Sequence, residues 1–62
     1  MKTKVINSWN QVDGGMRYEV AVDNHTVTVD VDARGKVTGF VRGICSSETE
    51  RKVLEAAFKA IR

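Results

Sequence analysis

Two consecutive stretches of the chain alternate apolar and polar side chains with a period of two. In Met16-Arg17-Tyr18-Glu19-Val20-Ala21-Val22-Asp23, Tyr18, Val20 and Val22 share one side. In His25-Thr26-Val27-Thr28-Val29-Asp30-Val31-Asp32, Val27, Val29 and Val31 do the same, opposite Thr26, Thr28, Asp30 and Asp32. Alternation of β-branched residues is the pattern of a half-buried strand. Asn24-His25 lies between the runs, and Asn tolerates a positive φ, so a two-residue hairpin turn is predicted there. In that register Val22 opposes Val27, Val20 opposes Val29 and Tyr18 opposes Val31. Arg17 then faces Asp32, and Glu19 faces Asp30 as a like-charge pair.

A second turn follows at Ala33-Arg34-Gly35, where Gly35 fits the positive-φ end of a three-residue hairpin loop. It places Asp32 against Lys36, Val31 against Val37, Val29 against Gly39 and Val27 against Val41. The valines again stay on one face. An earlier strand within residues 3–12 alternates poorly before the turn Asp13-Gly14-Gly15. An even loop length turns Val5 and Trp9 toward the core; an odd one turns Ile6 inward and exposes Trp9. Burial of the larger ring favours the first.

After Gly43 the period changes. Ser47-Glu48-Thr49-Glu50 reads as a capping box with Ser47 as the cap. Leu54, Ala57, Phe58 and Ile61 recur at i, i+3, i+4, i+7, flanked by Val53 and Ala60, which predicts an amphipathic helix of about fourteen residues. Glu48 and Glu50 at its start and Lys59 and Arg62 at its end suit the helix dipole. Glu48–Lys52 and Glu55–Lys59 are favourably ordered i,i+4 pairs. The expected fold is therefore α+β: a four-stranded antiparallel β-meander with one C-terminal α-helix packed on its valine face, a single domain over residues 1–62.

Composition narrows the function. Sixty-two residues, with 42% hydrophobic and 29% charged side chains, make one small globular domain near the lower limit for a self-sufficient core. One cysteine excludes an intrachain disulfide and one histidine disfavours a structural zinc site. A net charge of +2 with interleaved signs lacks the positive stripe of a nucleic-acid binder. No apolar run approaches the ~20 residues needed to cross a bilayer. The start Met1-Lys2-Thr3-Lys4-Val5-Ile6-Asn7 is basic without an apolar stretch, so a cytoplasmic protein with a reduced thiol is expected.

Candidate chemistry is sparse. Asp30-x-Asp32-x-Arg34-Gly35 echoes the start of a calcium loop. Such a loop needs oxygen ligands at its fifth and twelfth positions, which hold Arg34 and Val41 here. His25, in the predicted turn, has no nucleophile and orienting carboxylate assigned to it, although the hairpins bring it toward Cys45. Cys45, just before the helix, reads as a small apolar residue at the core edge. Ser46 and Ser47 at a helix start suit an anion, but Glu48 and Glu50 repel one. Gly14-Gly15 and Gly35-Lys36 lack a phosphate-loop context. No catalytic residue, metal, cofactor or small-molecule ligand is expected, and the protein is read as non-enzymatic.

The outer sheet face carries more information. In the register above it presents Glu19, Ala21 and Asp23; Thr26, Thr28, Asp30 and Asp32; and Lys36, Thr38, Phe40 and Arg42. One aromatic among four carboxylates argues against single-stranded nucleic acid. It suits a protein contact around Ala21, Thr28, Thr38, Phe40 and Arg42. A small core without a covalent or metal staple also suggests a homodimer. Of the two sheet edges, strand 1 carries Lys2 and Lys4, while strand 4 from Val37 to Arg42 has no proline. Self-pairing is therefore expected through strand 4 with Phe40 at the contact.

The order of three antiparallel strands and a helix, with Gly43-Ile44-Cys45-Ser46-Ser47-Glu48 leading through to Ala56-Ala57, resembles the latter part of double-stranded RNA-binding domains. The leading helix of that family is missing. Glu48-Thr49-Glu50 replaces its basic cluster and leaves only Arg51-Lys52. The expectation is a protein-interaction or accessory module, with a nucleic-acid binder using Lys2, Lys4, Arg51, Lys52 and loop cations as the alternative.

Overall fold

The computed structural model describes residues 2–62. Four strands, β1 (Thr3–Asn10), β2 (Met16–Val22), β3 (His25–Val31) and β4 (Val37–Val41), precede one helix, α1 (Ser47–Ala60). The sheet is antiparallel in the order β1-β2-β3-β4, and α1 lies across one face in contact with every strand. The expected meander with its C-terminal helix is the observed fold.

The β3–β4 register matches the prediction: Val27, Val29 and Val31 face Val41, Gly39 and Val37, and Thr28 faces Phe40. Gly35 takes φ 87°. Asp32 organises this turn. Its Oδ1 accepts the amides of Arg34 and Lys36 at 2.9 and 2.8 Å, and its own amide donates to the Lys36 carbonyl at 2.9 Å.

The β2–β3 register departs from the prediction by two residues. Val22 pairs with His25, Val20 with Val27, Tyr18 with Val29 and Met16 with Val31. The loop is Asp23-Asn24, and Asp23 carries the positive φ, 51°. His25 is thus the first residue of β3 and not part of the turn. The reason is local. Asp tolerates a left-handed backbone through its short polar side chain, as Asn does, so the turn can sit one residue earlier. A slip of two preserves every face. It also removes the like-charge clash, because Glu19 now faces Thr28 and Arg17 faces Asp30.

The first strand satisfies neither predicted alternative. Val5 pairs with Val20 on the helix side, but the register shifts between Val5 and Asn7, and Trp9 then pairs with Arg17 on the opposite face. Ile6 is the extra residue of this bulge, which reverses the facing of all that follows. Trp9 is therefore not a core residue.

The core is almost entirely valine. Val20, Val22, Val27, Val29 and Val53 are fully buried with Ala57, and Val41 nearly so; no polar side chain is buried among the described residues. The buried line on α1 is Val53–Ala57, with Leu54, Phe58 and Ile61 packed at its flank and only partly covered. The expected stripe is thus centred one position earlier. Gly39 explains the offset. A Cβ there would stand 2.7 Å from Leu54 Cδ2 and 2.8 Å from Phe58 Cε1, so these two side chains occupy the space above β4 that a larger residue would fill. The cap lies one residue before the predicted one: Ser46 is the N-cap, and its Oγ accepts the Thr49 amide at 3.2 Å. Thr49, with its hydroxyl 2.9 Å from Ser46 Oγ, takes the third position that had been assigned to Glu50. Cys45 lies partly buried against the core, as expected.

Candidate interaction face

The strand pairs order the helix-free face into three rows. The first runs Trp9, Arg17, Asp30, Thr38; the second runs Asn7, Glu19, Thr28, Phe40; the third runs Lys4, Ala21, Thr26 and then Arg42. The five residues expected to make a protein contact, Ala21, Thr28, Thr38, Phe40 and Arg42, all lie on this face. Trp9, Arg17, Lys4 and Asn7 join them.

Ion pairs span the first two rows. Arg17 Nε donates to Asp30 Oδ1 at 2.7 Å. The same carboxylate oxygen accepts Gln11 Nε2 at 3.1 Å, which ties the β1–β2 loop to β3. The hydrogen bond to Asp30, and secondarily its charge, raises the pKa of Arg17 above the usual guanidinium value. In the second row Arg42 Nη2 lies 3.8 Å from Glu19 Oε2. The two remaining carboxylates of the predicted set serve turns. Asp32 holds the β3–β4 loop, and Asp23 Oδ1 accepts the Lys2 amide at 2.9 Å. The four carboxylates are thus bound to internal partners and do not form an acidic field.

Beside Trp9 lies a concavity of about 460 Å³ lined by Trp9, Val12, Arg17, Glu19, Thr28 and Arg42, together with Asn10 and Gln11. Trp9 is 45% exposed and Phe40 68% exposed. Alternation in β2 had already put Arg17 on this side; Trp9 is the residue that sequence patterning failed to bring to the face. The adjacent apolar pair Val5-Ile6 inside a strand was the only trace of the bulge that puts it there. The loop between the first two strands adds an exposed Val12, and the segment after β4 an exposed Ile44.

Asp30 and Asp32 are committed to Arg17, Gln11 and the turn amides. Among the described residues no group of three His, Cys, Asp or Glu side chains is placed to hold a metal ion. None of the helices in the described residues is long and apolar enough to cross a membrane. No protein-family model, curated protein or solved structure matches this chain.

Proposed function

We propose that this domain is a non-enzymatic protein-interaction module that binds through the helix-free face of its sheet, with a second copy of the chain among its partners. The observation that carries this reading is the joint exposure of Trp9 and Phe40 on the helix-free face, where Trp9 lines a concavity together with an Arg17 already hydrogen-bonded to Asp30. Tryptophan and arginine are enriched among residues that dominate protein–protein binding energy. Side chains restrained before binding lose less entropy on contact.

A nucleic-acid reading gains from Trp9, which doubles the aromatics on a face that also carries Lys4, Arg17 and Arg42. Bases stack on such rings. The carboxylates of Asp30 and Glu19 weigh against it, because each engages one of the arginines a phosphate would need.

Affinity capture from the native host separates the two. Wild-type protein is expected to retain a protein partner that Trp9→Ala and Phe40→Lys lose and that Lys52→Ala, on the helix, keeps. Trp9 is the chain's single tryptophan, so its emission should shift when that partner is added. Binding to generic DNA or RNA that weakens steeply with salt, with no protein retained, would replace this reading by the nucleic-acid one.

A further inference from the structure

The two edges of the sheet are unlike. β1 is interrupted by the bulge at Ile6 and carries Lys4, and both features discourage another strand from pairing with it. β4 is regular from Val37 to Val41, uncharged and without proline. The direction of its free hydrogen-bonding groups follows from those already used. The Arg42 amide donates to the Thr26 carbonyl, and the Lys36 carbonyl accepts the Asp32 amide. In an antiparallel ladder, residues alternate between facing one neighbour and facing the other. Even-numbered residues of β4 therefore spend their backbone groups on β3. Val37, Gly39 and Val41 aim theirs at the open edge.

We infer that the β4 edge takes the β4 edge of a second copy, antiparallel, with the two-fold axis at Phe40. This rests on the protein-interaction reading and names the partner for one edge. Three constraints favour this axis position. Hydrogen-bonded pairs must join the outward-facing residues, which allows Gly39 with Val41 of the second copy and the symmetric counterpart. An axis at Gly39 also satisfies that rule, but it sets Lys36 against Arg42 at both ends and leaves two glycines at the centre. An axis at Phe40 sets Arg42 against Thr38 and Phe40 against its own copy. That pair is non-hydrogen-bonded, the kind in which side chains approach most closely. It covers the most exposed aromatic ring on the sheet, on the face away from both helices. β4 ends the strand order, and Val37 and Phe40 on it are exposed, which leaves its edge reachable. The result is an eight-stranded sheet with both helices on one side and an interface that is isologous.

The full chain in a Cys45→Ser background tests both the pairing and its register. Phe40→Cys brings two Cα atoms to about 4.5 Å across the axis, within disulfide range. Thr38→Cys leaves its two copies about 13 Å apart along the strands. Mild oxidation should link Phe40→Cys at least ten times faster than Thr38→Cys. Sedimentation over a concentration series should show wild type rising to two chains. Phe40→Lys should remain at one chain with unchanged thermal unfolding at low concentration. A one-chain mass for wild type into the high micromolar range overturns the pairing, and equal linking of the two cysteine variants overturns the register. If pairing fails while Trp9-dependent capture of a different protein persists, the edge is excluded and the face keeps its role.

Discussion

The two faces of this sheet are built from the same strands and have opposite chemistry. The helix-covered face buries valines and alanine with no buried polar side chain, while the free face alternates threonines, ion pairs and two exposed aromatics. An apolar face tolerates a register slip of two, because every inward-facing residue still meets an inward-facing one. A face made of charges does not, since each slip changes who opposes whom. The observed register is the one that suits the charged face: it sets Arg17 beside Asp30 and separates Glu19 from Asp30. The core thus selects which face is inside, and the outer face, with the turn, selects among the registers that the core accepts.

The sharpest test of this division places the same charge on neighbouring residues. Val27→Asp buries a carboxylate with no partner, at a cost of about 3–5 kcal/mol, and should leave most of the chain unfolded by circular dichroism at room temperature. Thr26→Asp, on the other face, should cost no more than about 1 kcal/mol in the same denaturant titration. Equal losses would show that the free face is covered too.

Gly39 tests how the helix reaches the covered face. Gly39→Ala forces Leu54 and Phe58 to move and should cost about 1–3 kcal/mol, read as a lowered denaturation midpoint with unchanged slope. A stabilising effect of the extra methyl, as expected for a strand glycine with open space above it, would mean that α1 is not seated there.

The smallest effect separates two serines. Ser46→Ala should cost about 1 kcal/mol by removing the cap of the helix, whereas Ser47→Ala, inside the first turn, should change stability by less than about 0.5 kcal/mol. The reverse order would restore Ser47 as the cap.

Much of this was legible without coordinates. Strict alternation in residues 16–32, Gly35 at the positive-φ place of its turn and the i, i+3, i+4, i+7 recurrence in the helix are local signals. Each is produced by the residues that obey it. Ala21, Thr28, Thr38, Phe40 and Arg42 reached the helix-free face for the same reason, since a strand's period of two survives any even displacement.

Three features were legible only in part, or not at all. The position of the β2–β3 turn depended on whether Asp23 or Asn24 would take the left-handed backbone, a choice between chemically similar residues that the cross-strand partners of Arg17 and Glu19 resolve. The N-cap lay between two adjacent serines that local chemistry does not distinguish; Ser46 is the one whose hydroxyl meets Thr49. The facing of Trp9 depended on a bulge, where one unpaired residue reverses everything after it. Sequence determined the elements, their order and the inward face, because these follow from short-range periodicity and turn stereochemistry. Tertiary structure decided the register, the helix seat over Gly39 and the arrival of Trp9 beside Arg17. Those outcomes depend on which residue meets which across strands far apart in the chain.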